Sequence, residues 1–391
     1  MSCDVDYFRA LETPRLARLG PNVVAAAFPL MKLMPARFIL DQAEKSGELK
    51  AGAHIVETTS GTFGMAVALL AAARGFRLTL VTAATLIDQT YQERLERLGA
   101  KVVALADERG DGNQTGRLAH LRAVMENEPD TFWTRQYDSP GNWQSYARLA
   151  ELFVRSMGQV DWLVGCIGTG GSLCGTGTFL RQVYPHLKIA AVDTHRSVLF
   201  GQPLGKRMLR GLGNSVIPAN VRHQLVDEVH WVGAYPAYHS AHSLFRNQGI
   251  FMGPTSGAAA LVGRWIGRTN PDSVVAVIMP DEGHRHANTV YDDKWLAALP
   301  GWPCPPVREP ETLVTIEPRD EWEWTRFEWS RRLLDEVPRP GQAKTTQPKA
   351  QSQVVSCSAE AVPLSHCHPA SPPTTGSWWL SYWTEHWLSG S

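Results

Sequence analysis

Gly168-Thr169-Gly170-Gly171-Ser172-Leu173-Cys174-Gly175 places four glycines and two hydroxyl side chains in eight residues. The apolar run Trp162 to Ile167 precedes it and Thr178 to Val183 follows it, so the stretch reads as a turn from a strand into a helix. That arrangement gathers backbone N–H groups around an anion, and the helix N-terminus adds about half a positive charge. Glycines let the backbone approach a phosphate with no Cβ in the way. The expected chemistry is a phosphate cradle. Two further small-residue turns open helices in the same manner, Thr58-Thr59-Ser60-Gly61-Thr62-Phe63-Gly64 and Gly253-Pro254-Thr255-Ser256-Gly257.

The elements that must carry these turns alternate along the chain. Asn22 to Phe28 reads as a strand, and Pro35 to Lys50 as a helix with Phe38, Ile39, Leu40 and Ala43 at helical spacing. His54 to Glu57, Leu78 to Val81 and Lys101 to Leu105 read as strands, separated by helices over Met65 to Arg74 and Gln89 to Leu98. A helix over Arg117 to Glu126 follows, and Asp138-Ser139-Pro140-Gly141-Asn142 then breaks the period. The second half repeats the logic, with strands at Lys188 to Asp193 and Val274 to Met279. Such alternation predicts an α/β fold of two domains, each with a mostly parallel sheet flanked by helices. Catalytic groups in these folds sit at the carboxyl edge of the sheet, which is where the three turns fall.

The 391 residues are 43% hydrophobic and 19% charged, with 38 basic against 38 acidic side chains. A net charge of zero gives no drive towards nucleic acid or a membrane surface. No apolar run is long enough to span a bilayer, and the N-terminus carries no signal-peptide pattern, so a cytoplasmic protein is expected. The six cysteines form no Cys-x-x-Cys, and no metal site is expected. From about Val337 the chain is rich in Pro, Gln, Ser and Thr, a composition that predicts disorder.

From Thr13 to Leu296 the chain resembles the pyridoxal-phosphate enzymes of the cysteine synthase and cystathionine β-synthase family, fold type II. The resemblance rests on Glu57 to Gly64, Gln136 to Asn142, Gly168 to Ser172, Arg210 to Gly213, Gly253 to Ala258 and Asp281 to Arg285, six motifs in the family's order. It implies that Gly168, Thr169, Gly170, Gly171 and Ser172 cradle the phosphate of pyridoxal 5'-phosphate and that Thr255 meets its pyridine nitrogen. A neutral hydroxyl there favours β-elimination and β-replacement over transamination. Thr59, Ser60 and Gly61 would close on the substrate carboxylate, with Gln136 and Gly211 beside them, and Thr62 would bind the cofactor.

Counting back from the family-like helix puts Lys32 at the position of the imine-forming lysine, although the Ser before it and the Asp-Arg after it are absent. Its neighbours Leu30, Met31, Leu33 and Met34 disfavour a charged amine, which suits that role. Thr62-Phe63 stands where the family commonly has Asn-Thr, so a reshaped substrate pocket is expected.

The domains that the resemblance implies are an N-terminal segment over 1–30 packing on the larger domain, a smaller mobile substrate-loop domain over 31–143, a larger phosphate-binding domain over 144–300, a linker and possible helix over 301–336, and a disordered tail over 337–391. The implied function is β-replacement on O-acetylserine or O-phosphoserine through an aminoacrylate, with sulfide or an amine as nucleophile. Amine acceptance would be similar to the 2,3-diaminopropionate-type synthases. A β-lyase and a catalytically weak partner protein are the alternatives. The partners expected are small molecules only, and a homodimer is implied.

Overall fold

Alternating apolar strands and helices build two sheets. The protein is described by a computed structural model covering residues 7–59, 61–209 and 211–337, which lie in one compact unit. The chain opens with α1 (Tyr7–Glu12), β1 (Arg15–Gly20), β2 (Val23–Ala27) and α2 (Leu33–Ser46). Then come β3 (His54–Thr58), α3 (Thr62–Arg74), β4 (Arg77–Ala83), α4 (Gln89–Arg97), β5 (Ala100–Leu105), α5 (Gln114–Asn127) and β6 (Thr131–Trp133). α6 (Pro140–Gln144) and α7 (Ala147–Met157) lead into β7 (Trp162–Cys166), α8 (Gly171–Val183), β8 (Lys188–Asp193) and β9 (Glu228–Val232). α9 (Ala234–Gln248), α10 (Pro254–Thr269), β10 (Val275–Met279), α11 (Asp293–Ala297), β11 (Glu311–Thr312) and β12 (Trp324–Glu328) complete the described part.

The smaller sheet runs β5-β4-β3-β6 and is wholly parallel. The larger runs β1-β2-β10-β7-β8-β9-β12-β11, parallel through its centre, with β1 antiparallel to β2 and β12 antiparallel to β9. The α/β fold with parallel sheets and flanking helices is as expected. Leu33, Leu40, Ile55, Leu70 and Leu80 are fully buried in the small sheet's core. Burying each contributes about 2 kcal/mol. The large sheet is covered on both faces, by Phe153, Leu180 and Trp329 on one and by Ala259, Val262 and Ile266 on the other. Continuous apolar strands such as Val275–Met279 follow from that two-sided burial.

The helix expected within 301–336 is not formed. Trp324–Glu328 is a strand paired to β9 over five register positions, Trp324 with Val232 to Glu328 with Glu228. The spacing of Trp324 and Phe327 also fits burial on a sheet: Trp324 packs on His230 and Trp265, Phe327 on Trp231 and Trp329. Pairing with the open edge of β9 decides the conformation where a short run fits both periods. The disorder expected over 337–391 falls, from residue 338 on, outside the described residues. Among those described, no helix is long and apolar enough to cross a membrane.

Candidate active site

Strands β3, β7 and β10 deliver their C-terminal loops to one cleft of about 470 Å³ between the two sheets. Lys32, Thr59, Gly61, Thr62, Gln136, Gly168, Thr169, Gly170, Ser172, Gly211 and Thr255 all line it. Gly171 starts α8 and packs on Asn142 instead of lining the cleft. Ser60 lies outside the described residues, as does Arg210.

The turn after β7 is shaped by glycine. Gly170 has φ +85°, and a Cβ on it would stand 2.5 Å from the carbonyl oxygen of Asn220. A Cβ on Gly168 would meet only Gly213 O, at 3.9 Å, so it would project into the space of the cradle. Thr169 is fixed by Asn142, whose Nδ2 donates to its Oγ1 at 3.2 Å. On the facing wall Thr255 lies in the first turn of α10, with Gly211 packed directly against its hydroxyl. Beside it, Ser256 Oγ is buried without a partner in the protein.

Lys32 sits between β2 and α2, where Met31 N donates to Pro280 O at 3.0 Å. Burial lowers its pKa, and the carboxylate of Asp281 works against that shift. Burial pushes Asp281 up to about 6, opposed by the hydroxyl of Thr62 and by Lys32. Thr62 Oγ1 donates to Asp281 Oδ2 at 3.0 Å, linking α3 to the loop after β10.

The substrate loop is organised from within. Thr59 Oγ1 accepts from Gly61 N at 3.1 Å and from Gly64 N at 3.0 Å. Gln136 Nε2 donates to Thr58 O at 2.5 Å, so that amide also holds the end of β3. Both rest on Glu57, a buried carboxylate accepting from Thr58 N, Thr134 Oγ1, Gln136 N and Trp133 Nε1. Burial raises its pKa against those four donors.

One group escapes a motif reading. It is Arg117, which is 3% exposed, lines the cleft and has no ion-pair partner among the described residues. Its Nε donates to Gly112 O at 2.9 Å and its Nη2 to Gln114 Oε1. Tyr137 adjoins it, and the guanidinium works against the rise that burial imposes on the phenol pKa. A buried guanidinium lacking a carboxylate is a site for an anion. Of the other arginines near the motifs, Arg196 pairs with Asp320 at 3.6 Å. Arg207 is knotted to Arg196 O, Asn214 O and Ser215 Oγ.

The cleft therefore holds an N–H cradle that a Cβ would fill, a lysine whose charge is disfavoured, and hydroxyls on the facing wall. These residues fit pyridoxal phosphate. The chain belongs to the family of pyridoxal-phosphate dependent enzymes, whose model matches residues 31–281. It is 31% identical over 309 residues to an N-(2-amino-2-carboxyethyl)-L-glutamate synthase of Ralstonia nicotianae, covering 75% of this chain and 91% of that protein. Its counterpart in Cupriavidus metallidurans is 32% identical over 302 residues, covering 73% and 88%. Among solved structures, cysteine synthase of Entamoeba histolytica superposes with a TM-score of 0.67 at 25% identity, covering 73% of this chain and 90% of that one. O-ureido-L-serine synthase gives 0.66 at 26%, covering 74% and 98%.

Proposed function

We propose that this enzyme performs a β-replacement in which the amine of an acidic amino acid such as glutamate displaces the leaving group of O-acetylserine or O-phosphoserine. The observation that carries the reading is Arg117, a buried guanidinium with no carboxylate partner among the described residues, in the same cleft as Lys32. A sulfide nucleophile has no carboxylate to set against it. The names of the curated relatives describe a glutamate bearing a three-carbon amino acid unit, and that product needs such a site.

Each wall has its part. Gly168, Thr169, Gly170 and Ser172 would hold the cofactor phosphate, joined at the helix start by the N–H of Gly171. Thr255 would present a neutral hydroxyl to the ring nitrogen, with Ser256 in reserve. When bound, pyridoxal phosphate supplies the electron-withdrawing ring that stabilises negative charge at the substrate α-carbon. The N-terminus of α3, with Thr59, Ser60, Gly61 and Gln136, would hold the α-carboxylate. Lys32 Nζ, whose charged form burial disfavours, would take the proton from the α-carbon and return it once the new C–N bond at the β-carbon has formed. The acetate or phosphate leaves the β-carbon as an anion.

A smaller body over 31–143 that moves against a larger one over 144–300, and a cytoplasmic homodimer, belong to the same proposal. Chromatography with light scattering tests the dimer. Steady-state kinetics of Arg117→Met test the anion site. The KM for an anionic amine should rise at least about tenfold, the loss of one charge-assisted hydrogen bond. An unchanged KM removes Arg117 from the site.

A further inference from the structure

We propose that Glu321 is a positioning residue of the cleft, acting from a strap over 317–323 that lies beyond the residues the family model matches. The two oxygens of its carboxylate serve two different elements. Oε1 accepts from the backbone N–H of Met208, and Oε2 accepts from that of Ala234, each at 3.0 Å. Met208 belongs to the cleft wall, together with Arg207, Leu209 and Gly211. Ala234 is the first residue of α9, which brings Tyr238 to the same cleft. One carboxylate thus fixes the wall to the helix behind it, and it sits at a helix N-terminus that favours negative charge.

The strap backbone is fitted to this place. Gly233 N donates to Glu323 O, and Tyr235 N to Glu321 O, both at 2.9 Å. A Cβ on Gly233 would overlap the carbonyl of Glu321, so glycine is required there by the strap alone. A second tie runs from Arg196 Nη1 to Arg319 O at 3.3 Å. Arg207 donates to Arg196 O at 3.2 Å and to Asn214 O at 3.1 Å, and Asn214 Nδ2 donates to Gly168 O at 3.2 Å. The strap is therefore connected, bond by bond, to the phosphate cradle.

Two backbone N–H groups aimed at two oxygens make a sharp demand. Glutamine offers one acceptor and one NH2, so Glu321→Gln forces a donor against a donor with no change of shape. The experiment compares wild type, Glu321→Gln and Glu321→Asp in the cofactor-loaded enzyme, with Glu126→Gln on the exposed last turn of α5 as control. For Glu321→Gln the expected result is a KM for the amino-acid substrates raised about tenfold, with kcat held within about twofold. Amide hydrogen exchange should quicken over 203–215 and at the start of α9, but not in β7 or β10. Glu321→Asp should fall between Glu321→Gln and wild type, and the control should match wild type.

The kinetic readout rests on the β-replacement reading, whereas the exchange readout does not. If wild type turns over no amino-acid pair but the exchange pattern appears, that reading fails and the positioning role stands. Unchanged exchange and unchanged KM overturn the role. So does a loss of stability with exchange quickened through both sheets, or a failure of Glu321→Gln to fold, since either makes Glu321 merely structural.

Discussion

Lys32 takes its chemistry from its surroundings. Burial in the cleft disfavours the ammonium, and Asp281 restores part of it. A lysine poised in this way can form an imine and afterwards accept a proton. Lys32→Ala should abolish the imine absorbance band on addition of pyridoxal phosphate and lower turnover at least about a thousandfold. A variant that keeps the band places the imine on another lysine. The position of Lys32 was legible in the sequence only by counting from the helix that follows, since its immediate neighbours depart from the family pattern. Arg117 was not legible. It lies on α5 with no glycine turn to mark it, and only the fold brings its guanidinium to the cleft. Asp281 stood inside a quoted motif, but its link to Thr62 spans 219 residues and no local signal encodes it.

At the level of elements, three loops carry the site, and all three were readable because glycine and hydroxyl residues punctuate apolar runs. The loop after β7 is the most demanding. Gly170→Ala places a Cβ at φ +85° against the carbonyl of Asn220. The left-handed backbone costs about 1–2 kcal/mol and the overlap about 1–3 more. Chemical denaturation should show a loss of about 2–5 kcal/mol, with the cofactor released more readily. An unchanged midpoint would mean that the loop relaxes freely and is not a rigid cradle. The misread element is β12. Its five residues fit a helical period as well as a sheet, and the open edge of β9 makes the choice. A sequence read locally cannot see that edge.

On the scale of the whole molecule, the described part of the C-terminal region is built into the large sheet and reaches the buried His195, whose Nδ1 accepts from Arg319 N at 3.3 Å. Burial, with the nearby charges of Arg196 and Arg319, pushes His195 down to about 4. Between about pH 6.5 and 4 the unfolded histidine binds a proton that the folded one refuses, so stability is lost as pH falls through that window. The loss amounts to at most about 3–4 kcal/mol. His195→Gln does not titrate, so its melting temperature should gain on that of wild type as pH falls from 6.5 towards 4. A constant difference across that window would show that His195 is protonated alike in both states.

The central claim concerns the bond proposed to form in this cleft. The direct measurement is mass spectrometry of the product formed by the cofactor-loaded enzyme from O-phosphoserine or O-acetylserine with nitrogen-labelled glutamate, sulfide being offered in competition. The account predicts a product in which the labelled nitrogen is bonded to the β-carbon of the three-carbon unit. Cysteine alone, or pyruvate and ammonia with no new C–N bond, would contradict it.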